Sequence, residues 1–229
     1  YVDAWGYSSA TLGDLDADGD LDLVLGDEQG ELHYYEHVKS TATPFVARLA
    51  WANPLKLQFD DISSITSAFG DLDNDGDMDI LASNFARPEE DVVANLSSLQ
   101  ELREGYQPSA LYKNDGTGRF SNVGESVGFQ PASIMGAQFI DFELDGDLDV
   151  VLGPGSHPLS HMQPLLFYRN DGGERFTNLT NFRDPHFYGK FHGTAFADID
   201  RDGDSDLFVN NGGVLLSDRW RDLVLENTT

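Results

Sequence analysis

The sequence predicts an all-β fold: a β-propeller built of four-stranded antiparallel blades, with four repeats in this chain. Three observations predict it. One nine-residue acidic segment recurs four times, beginning at Asp14, Asp71, Asp141 and Asp198. Each copy is flanked by apolar runs of strand length, too short for helices. Asn-Asp-Gly turns then separate a further pair of runs in the units where the pattern is clearest.

The elements of one unit follow in order. Before each acidic segment lies an alternating run of small residues, at 9–13, 67–70, 136–140 and 194–197. After it lies an apolar run, at 21–26, 78–82, 148–153 and 205–210. These read as two buried strands with the acidic loop between them. A third strand ends in an Asn turn, at 111–114 and 167–170, with weaker copies at 32–37 and 223–227. A fourth follows at 120–123 and 176–179. Each unit is a four-stranded meander. The repeats divide a single domain, 1–229, at roughly 1–60, 61–130, 131–187 and 188–229.

Composition narrows the partners. Lys and Arg total 14 against 40 Asp and Glu, a formal charge of -26. Nucleic acid and anionic membranes are poor partners for such a surface, and divalent cations are good ones. At 11% aromatic content the chain is not a disordered acidic tail. There are no cysteines, so disulfides and thiolate metal sites are excluded. No apolar run approaches the length that spans a bilayer, so no direct membrane insertion is expected. The first residue is Tyr and no signal peptide is visible, so the chain reads as a processed product or a piece of a longer one.

The acidic loops carry the chemistry. The first holds Asp14, Asp16, Asp18, Asp20 and Asp22; the second Asp71, Asp73, Asp75, Asp77 and Asp79. The third holds Asp141, Glu143, Asp145, Asp147 and Asp149; the fourth Asp198, Asp200, Asp202, Asp204 and Asp206. Carboxylates stand at positions 1, 3, 5, 7 and 9, with Gly at 6 for the sharp turn. Alternate side chains of a tight loop converge on one centre, and the carbonyl of position 7 adds an oxygen. Several charged hard oxygens suit Ca²⁺, up to four ions in all. Mg²⁺ demands stricter octahedral geometry, and Zn²⁺ wants His or Cys. An EF-hand is excluded, because its Glu at position 12 is Leu25, Ala82, Leu152 or Val209 here and the flanks are strand-like. Glu143 is longer than Asp and suits binding through water. The first two loops are expected to bind most tightly.

At these loops the chain resembles the FG-GAP/VCBS repeat family, the calcium-bearing blades of integrin α-subunit propellers and of many secreted microbial proteins. The resemblance covers nearly the whole chain. It implies side-chain ligands at positions 1, 3, 5 and 9 and a carbonyl ligand at 7. The Phe-Gly…Gly-Ala-Pro signature is only partly present, in Phe69-Gly70 and Gly153-Pro154. Family propellers usually have seven or eight blades, so four repeats imply a portion of a larger propeller, completed by further blades or another subunit. The family also implies an extracellular or secreted location, with the periplasm or cell surface as variants.

Up-and-down topology puts the acidic loops and the Asn turns at one end of each sheet. The long connections fall at the other. Residues 84–110 contain a helix-start pattern after Pro88. The remaining connections bring His157, His161, His186, Tyr188, His192, Arg219 and Trp220 to the face opposite the calcium loops, as candidates for a protein or glycan ligand. A non-catalytic adhesion or recognition module is the favoured reading. A carbohydrate-active enzyme, a polysaccharide lyase or sugar dehydratase, is the alternative, with the four His as its only candidate acids or bases. A structural subunit of a larger assembly is the third. Asn-x-Ser/Thr sequons stand at Asn95, Asn178 and Asn227.

Overall fold

Apolar residues on both sides of a strand require a cover on both faces, and the runs after the acidic loops are of this kind. In the computed structural model they become the second strands of successive antiparallel sheets. The structure describes residues 9–16, 18–26, 32–37, 45–47, 67–83, 108–116, 119–155, 163–180, 187–212 and 221–228. The first sheet is β1 (Ser9–Gly13), β2 (Asp22–Gly26), β3 (Leu32–His37) and β4 (Phe45–Ala47), in that order. The second is β5 (Ser67–Gly70), β6 (Asp79–Ala82), β7 (Ala110–Asn114) and β8 (Phe120–Asn122). Then come β9 (Ile134–Ile140), β10 (Asp149–Pro154), β11 (Gln163–Pro164), β12 (Leu166–Asn170) and β13 (Phe176–Asn178); all but β11 form the third sheet. β14 (Tyr188–Gly189) pairs with β11. β15 (Phe191–Ala197), β16 (Asp206–Asn211) and β17 (Leu223–Leu225) form the fourth sheet.

The register repeats from sheet to sheet. Val24, Leu81, Val151 and Phe208 occupy one slot of the second strand, opposite Tyr34, Leu111, Phe167 and Val224 of the third. Because side chains alternate along a strand, this slot points forward, toward the next sheet, and its neighbours point back. Leu15, Val24 and Tyr34 of the first sheet pack on Phe69, Met78 and Ile80 of the second. Leu72, Leu81 and Leu111 pack on Phe139, Leu148 and Val150 of the third. Phe142, Val151 and Phe167 pack on Phe196, Leu207 and Val209 of the fourth. Gly70 makes one of these contacts close: a Cβ there would stand 2.6 Å from Leu148 and 2.9 Å from Phe139.

The two outer faces of the stack differ. Ile199, Phe208 and Val224 hold the forward slots of the fourth sheet and are 54%, 39% and 60% exposed. Leu12 and Leu21 hold the backward slots of the first and are also exposed. No closed ring of sheets is seen among the described residues. The leading strands β1, β5, β9 and β15 lie side by side in sequence and line a cavity of about 440 Å³. Thr11 Oγ1 donates to the Ser67 carbonyl, and Thr194 Oγ1 to Gln138 Oε1 at 3.0 Å, stitching neighbouring strands. Among the described residues no helix is long and apolar enough to cross a membrane.

Candidate metal centres

Each acidic loop joins the first and second strands of its sheet and is shaped by its own carboxylates. In the first three loops position 1 accepts from the amides of positions 5 and 6: Asp14 from Asp18 and Gly19, Asp71 from Asp75 and Gly76, Asp141 from Asp145 and Gly146. In all four loops position 5 accepts from the amide of position 7, at 3.0–3.2 Å. Such Asx-type bonds curl the chain tightly enough to bring alternate side chains together. The curl needs two left-handed residues. Gly19, Gly76, Gly146 and Gly203 at position 6 have φ of 90 to 105°. Position 4 is also left-handed in Asn74, Leu144 and Arg201, at 57 to 69°. This second left-handed position escapes sequence reasoning, because its three occupants share no chemistry.

Position 9 has a different role from the rest. Asp22, Asp79, Asp149 and Asp206 are all buried. One carboxylate oxygen accepts from the amide of position 2, from Leu15, Leu72, Phe142 or Ile199. The other accepts from the third strand's end, from the amide of His37, Asn114, Asn170 or Asn227, at 2.8–2.9 Å. The carboxylate thus ties the acidic loop to the end of the third strand, an Asn turn in all but the first sheet, and places both at the same end of the sheet. Burial pushes Asp79 and Asp149 up to about 6, outweighing the two amides that favour the charged form. The same pair of amides holds Asp206 below the usual carboxylate range. Asp206 is equally hidden from water at its surface, but no sheet follows the fourth among the described residues, so less protein surrounds it.

The carboxylate oxygens converge as a cation site requires. Ligand atoms of Asp14, Asp16 and Asp18, of Asp71, Asp73 and Asp79, and of Asp198, Asp200 and Asp202 lie within 4.8 Å of one another. The third loop forms no such group among the described residues. There Arg169 Nε stands 3.7 Å from Glu143 Oε1. Asp73 supplies the test of fit. Its Oδ2 pairs with Lys113 Nζ, while its Oδ1 is buried with no hydrogen-bond partner. A buried carboxylate oxygen left so is costly unless something else meets it, and an all-oxygen anionic cage is the donor set of a hard divalent ion. Burial first, and then the charge of Asp22, raises Asp16; burial likewise raises Asp200. Neighbouring carboxylates add to both shifts, Asp22 and Asp18 at Asp16, Asp202 and Asp206 at Asp200.

Neighbouring loops are joined. Asn74 Nδ2 donates to Asp147 Oδ1 at 2.8 Å, linking the second loop to the third. Asn170 Nδ2 donates to the Leu72 carbonyl at 2.8 Å, and Asn227 Nδ2 to the Phe142 carbonyl at 2.7 Å, each reaching back to the loop of the preceding sheet. Asn turns are legible in the sequence; their grip on a neighbour's loop is not.

Of the residues expected on the opposite face, His157, His161, His186, Arg219 and Trp220 lie outside the described residues, as does the helix-start pattern after Pro88. Tyr188 sits on β14, paired with Pro164. His192 lies on β15 and lines the cavity between the leading strands. Both stand on strands, whereas the sequence suggests loops. A register shift between Phe191 and Gly193 lets the strand begin before the glycine.

A family model described as FG-GAP-like repeat matches residues 14–82 and 159–209, more than half of the chain. The matched segments contain the first, second and fourth acidic loops. No curated protein sequence matches the chain. Among solved structures, a lectin of Agrocybe aegerita that specifically recognises non-reducing terminal N-acetylglucosamine is similar at 16% identity and a TM-score of 0.47. The similarity covers 89% of this chain and 46% of the lectin. This chain therefore spans a little under half of that protein, and nothing about its own ligand follows from the likeness.

Proposed function

This chain belongs to the FG-GAP-like repeat family, and on that premise we propose that it is a calcium-binding stretch of β-propeller serving extracellular recognition. The metal is structural. It neutralises the acidic loops and fixes the end of each sheet, leaving the other end free to present long connections to a protein or glycan. The single observation that carries the reading is the fourfold recurrence of one loop: the same position-9 clamp in every sheet, the same left-handed position 6, and an oxygen-only donor set in which Asp73 Oδ1 is buried without a hydrogen bond. Four divalent ions would remove eight of the 26 net negative charges.

The bare outer faces support a ring with more blades than these four sheets. Slots filled by Leu15, Leu72 and Phe142 are covered by the next sheet. Ile199 holds the same slot and is 54% exposed. A further sheet of the same kind is the cover that the repeat itself specifies.

Calorimetric titration of metal-stripped protein with calcium tests the metal reading. Uptake of several ions, with a matching rise in melting temperature, is expected; no heat and no stabilisation at millimolar calcium would overturn it. Probing the calcium-loaded protein on a glycan array and against extracellular proteins, with and without chelator, tests recognition. Binding that persists unchanged after chelation would contradict the role given to the metal.

A further inference from the structure

The third strand of every sheet carries one residue in a common slot of the register, near the end that meets the acidic loop. It follows Tyr35, Tyr112, Tyr168 and Leu225, which pair with Leu23, Ile80, Val150 and Leu207 in a common register. The residues in this slot are Glu36, Lys113, Arg169 and Glu226. The slot is acidic in the first and fourth sheets and basic in the second and third.

The basic pair reaches the position-3 carboxylates. Lys113 Nζ pairs with Asp73 Oδ2. Arg169 Nε approaches Glu143 Oε1 at 3.7 Å, while the same Nε and Nη2 bind Asp171 Oδ1 at 2.9 and 2.8 Å. The acidic slot offers the opposite charge: Glu36 follows Tyr35 in the same register and precedes His37, whose amide binds Asp22 at 2.8 Å. The loop with Arg169 is also the one whose carboxylates form no close group among the described residues.

We propose that this strand-borne charge ranks the cation loops, weakening the second and third and strengthening the first and fourth. The proposal rests on the calcium reading above. A fixed positive charge touching a ligand carboxylate repels the incoming ion and has already neutralised some of what attracts it. A fixed negative charge in the same place adds to the attraction. At separations of several ångströms one unit charge alters the affinity for a divalent ion by on the order of tenfold even in a water-like dielectric. The ranking separates the first two loops, which their own sequences make near equals. It also gives the second and third loops a built-in counter-ion, so that they keep their shape with less dependence on metal.

The opposite role is physically open to Lys113: by holding Asp73 Oδ2 it could aim Oδ1 at the ion and so tighten the site. The two roles predict opposite signs. Calcium titration of the full chain, followed through the amide resonances of Gly19, Gly76, Gly146 and Gly203, reads each loop separately. Gly19 and Gly203 should move at lower calcium than Gly76 and Gly146. In Lys113→Glu the Gly76 midpoint should fall at least about tenfold while Gly19 stays put, and in Glu36→Lys the Gly19 midpoint should rise by a like factor. Lys113→Gln should give about half the logarithmic shift, which covers the case of a misfolded reversal. Four coincident midpoints, or a higher Gly76 midpoint in both Lys113 variants, would overturn the ranking with the calcium reading intact. No movement at any glycine would overturn both.

Discussion

Replacing Asp149 by alanine removes a fully buried carboxylate that accepts from Phe142 N at 3.1 Å and from Asn170 N at 2.8 Å. Both amides would then be left without partners inside the protein. Each such loss costs about 1–3 kcal/mol. Some of it is returned, because burial already makes this carboxylate hard to ionise and pushes it up to about 6. A net loss near the lower end, about 2–3 kcal/mol, is expected. In a protein of this size that lowers the melting temperature by about 5–10 °C. The control is Asp145→Ala in the same loop. Asp145 is exposed and accepts the neighbouring Asp147 amide at 3.0 Å. Its removal should cost no more than about 0.5 kcal/mol without metal. Thermal melts by circular dichroism in chelator therefore separate clamp from ligand, and melts in calcium should show both variants weakened. If the two variants melt within about 2 °C of each other in chelator, the clamp reasoning is wrong.

The same buried carboxylates set a pH dependence. Asp79 and Asp149 have folded-state values of about 6 against an ordinary 3.8, so within that window the folded protein holds more protons than the unfolded chain. Their contribution is therefore most favourable at low pH and declines as pH rises through about 6. Metal-free protein should melt higher at pH 5 than at pH 7, and an equal or lower melting point at pH 5 would refute this. Repeat-equivalent residues should also differ in cost: Leu111→Ala should lose about 2–5 kcal/mol in urea melts, and Val224→Ala no more than about 0.5. Leu111 is 1% exposed and Val224 60%, so similar losses would show that the outer face of the fourth sheet is covered after all.

Much of the architecture is legible in the sequence because it is local. Strand runs, acidic loops and Asn turns each occupy fewer than ten consecutive residues, and every copy reinforces the others. What stays hidden depends on register or on distant approach. Nothing in Asp79 itself tells that the Asn114 amide returns to bind it, 35 residues later. Lys113 and Arg169 look like ordinary surface charges until strand pairing sets them beside Asp73 and Glu143. His192 reads as a loop residue because Gly193 looks like a boundary, whereas the irregularity at that glycine is absorbed within the strand. Ile199 illustrates the converse: its sequence promises burial, and among the described residues no sheet covers it.

The backward reach of the Asn side chains has a thermodynamic consequence. Asn170 holds the second loop from the third sheet, and Asn227 holds the third loop from the fourth. The stability of the third and fourth units then includes a term owned jointly with the immediate predecessor, the coupling of a one-dimensional array. An ion settling in the second loop would stiffen its partner on the third sheet and fade from notice beyond it. Successive ions would bind with pairwise cooperativity along the chain, and damage at one loop would spread to its neighbour before it reached the whole.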